Sequence, residues 1–329
     1  MQNKKILLVF TGGTISSKES DGIIEKKQKT YTLLSDKNPE DFHILSPFDI
    51  LSENMTPEYL FSLCREMRKA LSQDTYRAVI ITHGTDTLSY TAQMISLLFE
   101  TTQIPFVLLG SKRPQNASNF DGKINFDHAL LLLDLVSEGV YVVSRHENGS
   151  DRIYAASHIL QADCISDDFS SYRGQAFASI EKNQVQLSPD FQKAACYPTL
   201  LSLFSEKEPS GDIHAPFIIS PYIGLDYRQF NIENYQGKSI LHLLYHSGTA
   251  CTEGKDYQNL LLFSEKCQKE GKTLYLAPIE KGRAFYESAS SFFHSSSIVP
   301  IYDTAPERAY AMLLLSEYLE ISAKELFSL

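Results

Sequence analysis

Two short stretches combine hydroxyls with residues that lack side chains. "FTGGTIS" carries Thr11, Gly12, Gly13 and Thr14, and "THGTDT" carries Thr82, His83, Gly84, Thr85, Asp86 and Thr87. A threonine hydroxyl becomes a nucleophile once a neighbour takes its proton. Glycines such as Gly13 and Gly84 let a small substrate approach the main chain, and they leave N–H groups free to hold an oxyanion. A carboxylate such as Asp86 can anchor a substrate amino group. Neither stretch is the G-x-G-x-x-G dinucleotide fingerprint or a phosphate loop with its lysine. Taken singly, "TGGT" could be a plain strand-to-helix turn. "THGTDT" could equally be a helix start capped by Thr85 or Asp86, with His83 a satisfied histidine.

Both stretches end apolar runs, "KILLVF" and "RAVIIT". Further runs, "IPFVLLG" and "GVYVVSR", alternate with helical patterns in "MTPEYLFSLCREMRKAL", "TDTLSYTAQMISLLFE" and "GKINFDHALLLLDLVSE". Continuous apolar strands between helices predict a parallel sheet covered on both faces. In such sheets ligands bind beyond the carboxyl ends of the strands, where both glycine-threonine turns fall. The fold class expected is α/β: a large N-terminal doubly wound parallel-sheet domain over 1–190, then a linker over 191–214. A smaller C-terminal α/β domain follows over 215–329, with strands in "APFIIS", "KSILHLL" and "TLYLAP". Helices are expected in "KDYQNLLLFSEKCQKEGK" and "TAPERAYAMLLLSEYLEIS". Thr56 and Pro57 form a helix-start signal, and Pro306 sits in the first turn of the closing helix.

The chain has 329 residues, enough for about two domains. Its net charge of -10 repels phosphate backbones and argues against a nucleic-acid partner. No run approaches the roughly 18 apolar residues of a membrane span, and the N-terminal run is too short for a signal peptide, so a cytoplasmic protein is expected. Five cysteines without C-x-x-C spacing read as reduced, mostly buried thiols. The nine histidines show no metal-binding pair, and no metal is expected.

The combination of "FTGGTIS", "VIITHGTDTLSYTA", "LSENMTPE", and "LLGSKRP" followed by "FDGKINFDHAL" resembles the bacterial-type L-asparaginase family. "DTAPERAYAMLL" resembles that family's closing helix, so the similarity covers most of the chain. The resemblance implies hydrolysis of L-asparagine, and in some members of L-glutamine, to the acid and ammonia without metal or organic cofactor. It implies a homodimer or homotetramer. It makes Thr14 the first nucleophile, with Thr85 and Asp86 as the second threonine and its aspartate. Ser52, Asn54 and Asp86 match the residues that hold the substrate's α-carboxylate and amino group. Tyr31 matches the tyrosine of a mobile loop that helps activate the first threonine, and the polar, lysine-rich stretch 16–32 matches that loop.

Two departures stand out. The family's catalytic lysine, close to the second threonine, has no counterpart, because no lysine occurs between Lys123 and Lys182. Counting along the segment puts its position at Gln161 or, from the other end, at Leu160. The family's G-x-G-N motif in the small domain becomes "HSGTA", with Thr249 in place of the asparagine. Lys112 and Lys123 are the cations that could act from a new direction. Three readings follow from this pattern: a working asparaginase, an impaired relative that binds aspartate or asparagine, and an amidotransferase subunit acting on aminoacylated tRNA. The third is ranked last, since it calls for an extra N-terminal domain and a basic surface.

Overall fold

The structure, a computed structural model, describes residues 4–20, 23–26, 31–191, 196–207, 212–282 and 286–326; the side chains of 18–20, 23–26, 31, 32, 288 and 324 are not described. Contacts divide the chain into two units, 1–208 and 209–328.

The first unit is built on an eight-stranded sheet. In chain order the strands of the unit are β1 (Lys5–Phe10), β2 (Ser17–Ser20), β3 (Ile23–Lys26), β4 (Phe42–Leu45), β5 (Tyr76–Thr82), β6 (Phe106–Leu109), β7 (Val140–Arg145), β8 (Asp151–Ala155), β9 (Ala178–Glu181) and β10 (Gln184–Leu187). The sheet order is β10-β9-β8-β7-β6-β5-β1-β4, while β2 and β3 pair only with each other. Strands β4, β1, β5, β6 and β7 are parallel, and β8, β9 and β10 extend the sheet antiparallel. The expected α/β architecture is observed. The stretch 16–32, matched above to the family's mobile loop, contains the β2–β3 ribbon, registered Ser17 to Lys26.

Chain direction across the sheet reverses at β1. The chain leaves β1 for β4 on one side, then returns through helix α1 (Pro57–Gln73) to β5 on the other. The boundary between β1 and β5 is therefore a topological switch point, where a crevice opens beyond the strand ends. Ile6, Leu8 and Phe10 of β1, with Ala78 and Ile80 of β5, pack with Phe126, Ala129 and Leu132 of α3 (Gly122–Leu133, after α2, Thr85–Phe99). Residues of opposite parity, Leu7, Val9, Val79 and Ile81, are equally buried, so both faces are covered. Helix α1 starts as its sequence dictates: the Thr56 side chain accepts from the Tyr59 N–H, and Pro57 occupies the first turn.

Part of the segment read as linker is helical. Helix α4 (Leu200–Glu206) belongs to the first unit and buries Phe204 against Phe61, ring centroids 5.7 Å apart. The mixed Pro, Ser and charged composition around it hides this short apolar stripe.

The second unit has a four-stranded parallel sheet, β11 (Phe217–Ile219), β12 (Ser239–Leu243), β13 (Thr273–Ile279) and β14 (Ile298–Tyr302), in chain order. Helices α5 (Leu260–Lys269), α6 (Glu287–His294), α7 (Pro306–Leu319) and α8 (Ala323–Leu326) accompany it. Helix α5 begins later than its sequence pattern suggests, because the Asn259 side chain caps the N–H groups of Leu261 and Leu262. The cysteines correct the expectation of mostly buried thiols: Cys64 and Cys267 are buried, but Cys164, Cys196 and Cys251 are exposed. No helix among the described residues is long and apolar enough to cross a membrane.

Candidate active site

The two glycine turns meet at the switch point. A Cβ on Gly13 would stand 2.5 Å from the Gly84 Cα, and one on Gly84 would stand 2.4 Å from the Ser52 Oγ. Gly13 has φ 83°, in the region that favours glycine. Two bare backbones thus touch where any side chain would separate them. That contact sets the base of the β1 turn, with Thr14, directly against the base of the β5 turn, with Thr85.

Hydrogen bonds hold this arrangement. The Thr11 hydroxyl donates to the Thr82 carbonyl at 2.9 Å, so Thr11 ties β1 to β5. The Gly13 N–H donates to the Ile50 carbonyl, and the Ile50 N–H donates to the Thr11 carbonyl. The Gly13 carbonyl accepts from the Ser17 hydroxyl at 2.9 Å and from the Ser16 N–H. Thr14 is half-buried at the start of a 3-10 turn, Thr14–Ser16.

Ser52 comes from the turn Ser52–Asn54 that precedes α1. It is buried, its hydroxyl donates to the Asp86 carboxylate at 2.8 Å, and its carbonyl accepts from the Thr87 hydroxyl at 2.8 Å. Thr85 is half-buried and Asp86 exposed in the first turn of α2, where the helix dipole favours a carboxylate. Asn54 is exposed on the same turn as Ser52. The structure therefore gathers Gly13, Thr14, Ser52, Asn54, Gly84, Thr85 and Asp86 at adjacent strand ends. Tyr31 opens the 3-10 turn Tyr31–Leu34, and its side chain lies outside the described residues.

His83 is the satisfied histidine. Its Nδ1 lies 2.8 Å from the Gly84 carbonyl and its Nε2 lies 2.9 Å from the Thr91 hydroxyl. Burial pushes its pKa down to about 4, the Gly84 carbonyl opposing the shift, so the ring is neutral. With Nδ1–H donating to the carbonyl and Nε2 accepting from Thr91, it pins the "HGT" turn to α2. Its role as a pin follows from burial, which the sequence does not display.

The loop after β6 closes over the turn from the other side. The Asp121 carboxylate accepts from the Ser111 hydroxyl and from the N–H groups of Lys112 and Arg113. Gln115 donates its side-chain amide to the Ile15 carbonyl and its N–H to the Ser17 carbonyl. Asn125 joins the Gly110 carbonyl to the Arg145 N–H. The quoted motifs around "GSKRP" and "FDG" are thus a scaffold for the turn that carries Thr14. Gln115 gives no signal of this in the sequence, because a glutamine in a polar loop looks like surface.

Strand β8 ends on Ala155 and passes into a 3-10 turn, Ala156–His158, that packs against α2. This junction carries alanine, alanine and serine. Gln161 and Leu160 follow after Ile159, whose carbonyl accepts from Gln93, eight residues and so roughly 12 Å along α2 from Thr85. The ammonium of Lys112 pairs with Asp168 and donates to the Ser166 carbonyl, and that of Lys123 pairs with Asp36 and Asp127. Thr249 lies in a tight turn of the second unit, its hydroxyl 3.0 Å from that of Ser247.

Residues 5–193 match the family model "Asparaginase, N-terminal". The chain belongs to the asparaginase family. A glutamyl-tRNA(Gln) amidotransferase subunit of Sulfurisphaera tokodaii is 26% identical over 333 residues, spanning 95% of this chain and 70% of its own length. Its counterpart in Sulfolobus acidocaldarius is 35% identical over 157 residues, 45% of this chain and only 34% of its own length. Among solved structures, the thermostable L-asparaginase from Thermococcus kodakarensis superposes with a TM-score of 0.75 at 21% identity, covering 98% of this chain and 96% of its own. The probable cytoplasmic L-asparaginase from Campylobacter jejuni gives 0.75 at 20% identity, covering 99% of this chain and 98% of its own. These last two likenesses are of fold.

Proposed function

We propose that this asparaginase-family protein hydrolyses the side-chain amide of L-asparagine, and to a lesser extent of L-glutamine, using Thr14 as nucleophile. The observation that carries this reading is the direct contact of Gly13 with Gly84, which sets the Thr14 turn against the Thr85–Asp86 turn and Ser52. The Thr14 Oγ attacks the amide carbon, and the bare glycine backbones leave room for the developing oxyanion. The proton lost by the Thr14 hydroxyl ends on the amide nitrogen, collapse of the tetrahedral species expels ammonia and leaves an ester on Thr14, and water hydrolyses that ester to L-aspartate and restores the hydroxyl. Asp86 holds the substrate ammonium, Ser52 orients Asp86, and Asn54 and Ser52 receive the α-carboxylate. Thr85 presents the second hydroxyl. Its general base is missing, which costs about 10²- to 10⁴-fold relative to members that carry the lysine. A cytoplasmic homodimer or homotetramer fits the family.

The test is ammonia release from L-asparagine by wild type and by Thr14→Ala. Loss of about 10³-fold or more in the variant supports the reading, and equal rates in the two proteins overturn it.

The alanines at the β8 junction favour a second reading, an impaired relative that binds aspartate without turnover. It predicts background ammonia release together with saturable L-aspartate binding that Asp86→Asn abolishes. The amidotransferase names of the relatives supply a third, in which release appears only with a partner protein present. The net charge of -10 weighs against tRNA contact by this chain itself.

A further inference from the structure

A cleft of about 490 Å³ opens on the first unit beside β7 and β8, and none of the residues assigned above to the candidate active site lines it. Its size falls within the range of small-molecule sites, roughly 300–1,000 Å³. Arg152 of β8 lies on its wall. The neighbouring arginines are committed, Arg145 to Asp151 and Arg113 to Glu147. Among the described residues Arg152 has no ion pair and no side-chain hydrogen bond. Asp190 on the rim is likewise unpaired among the described residues. Three aromatic rings, Tyr154, Phe169 and Phe191, line the same cleft.

The walls are preorganised. The Tyr154 hydroxyl donates to the Phe169 carbonyl at 2.9 Å and lies 2.9 Å from His146 Nε2. Phe191 packs edge-on against Phe177, centroids 5.3 Å apart. His146 is held below its ordinary pKa, chiefly by burial, with Asp168 opposing and Lys112 and Arg152 assisting, so it adds no second cation at neutral pH. One guanidinium, one carboxylate and an aromatic lining complement a zwitterion with an apolar body better than a dianion, which Asp190 would repel, or a neutral hydrocarbon, which would leave Arg152 unused.

We propose that this cleft is a binding site for a free α-amino acid with an aromatic side chain, its carboxylate on Arg152, its ammonium on Asp190 and its ring among Tyr154, Phe169 and Phe191. The site is separate from the Thr14 crevice and does not depend on the asparaginase reading.

The experiment is calorimetric titration of the full-length protein with L-phenylalanine, phenylpyruvate and phenethylamine as probes. Saturable binding of L-phenylalanine is expected at millimolar concentrations, about tenfold weaker for each probe lacking one charge. Arg152→Gln weakens L-phenylalanine about tenfold or more, and Arg152→Lys keeps part of the affinity. Saturating L-aspartate leaves L-phenylalanine binding unchanged. No saturable binding of L-phenylalanine, equal binding of all three probes, or displacement by L-aspartate each overturns the proposal. The probe series decides the matter even if an arginine variant folds poorly.

Discussion

A Cβ on Gly13 would stand 2.5 Å from both the Cα and the nitrogen of Gly84, two residues 71 positions apart that close the crevice by backbone contact alone. Nothing flexible is available to move aside, since both neighbours are main chain. Gly13→Ala also faces φ 83°. It is expected to lower stability by about 2–4 kcal/mol and to abolish ammonia release. Gly84→Ala meets the Ser52 side chain instead, so a smaller stability loss with a comparable loss of activity is expected. Urea denaturation and an ammonia assay on both variants check this.

Ser52 is the buried partner of an exposed carboxylate. Its hydroxyl donates to Asp86 at 2.8 Å, and its carbonyl holds Thr87. Only the first contact is lost in Ser52→Ala. Losing the Ser52 hydroxyl frees the orientation of Asp86 and removes a contact to the substrate's α-carboxylate, which predicts a rise of about tenfold or more in KM for L-asparagine, while water at the exposed Asp86 limits the stability loss to about 1 kcal/mol. Asp86→Asn removes the charge itself and should raise KM further. A KM unchanged in both variants would remove Asp86 from the substrate site.

Some of this is legible in the sequence for a physical reason, and some is not. Continuous apolar runs such as Leu7–Phe10 and Val79–Ile81 announce strands buried on both faces, and the turns after them must lie at strand ends. Thr56 as a cap is a local fact, whereas Thr11 as a tie reaches 71 residues along the chain to Thr82 and the pinning role of His83 depends on its burial. The antiparallel extension β8–β10 escapes the pattern because its strands are only four or five residues long and the outermost, Gln184–Leu187, is polar at the sheet edge. Helix α4 escapes it because two buried residues, Leu200 and Phe204, are too few to show a period. The lysine's absence is plain from composition, but the segment that packs on α2 at the β8 junction is a tertiary fact, and counting residues toward Gln161 does not reveal it.

The buried histidines set an acid limit. His83 in the first unit and His242 in the second are each held at about 4, in both cases chiefly by burial. In the unfolded chain each takes a proton near 6.5. Unfolded protein therefore binds more protons between about pH 6.5 and about pH 4, and stability falls as pH drops through that window, levelling below it. Each histidine accounts for about 3 kcal/mol over the whole window. Denaturation curves across it should show His83→Gln less stable near neutrality but with a shallower pH slope than wild type. An unchanged slope would mean that His83 is not neutral in the fold.

Lys112 is one of the two cations that could stand in for the missing lysine. Its side chain is 7% exposed and its ammonium pairs with Asp168, a carboxylate that also accepts from the Glu147 N–H. Burial acts to raise the Asp168 pKa, but the Lys112 bond and the Glu147 N–H outweigh it and the carboxyl ends below its ordinary value. The lysine is thus spent on holding the 163–168 turn to the loop after β6. Lys112→Met strands a largely buried carboxylate and should cost about 2–4 kcal/mol of stability. That cost should fade as the pH falls through the ordinary carboxylate range, where Asp168 is free to protonate. If the ammonium serves structure alone, kcat at a temperature where the variant is fully folded stays within about threefold of wild type. A fall of about 10²-fold with the fold intact would instead assign Lys112 the proton-transfer role that the family gives to a lysine elsewhere in the chain.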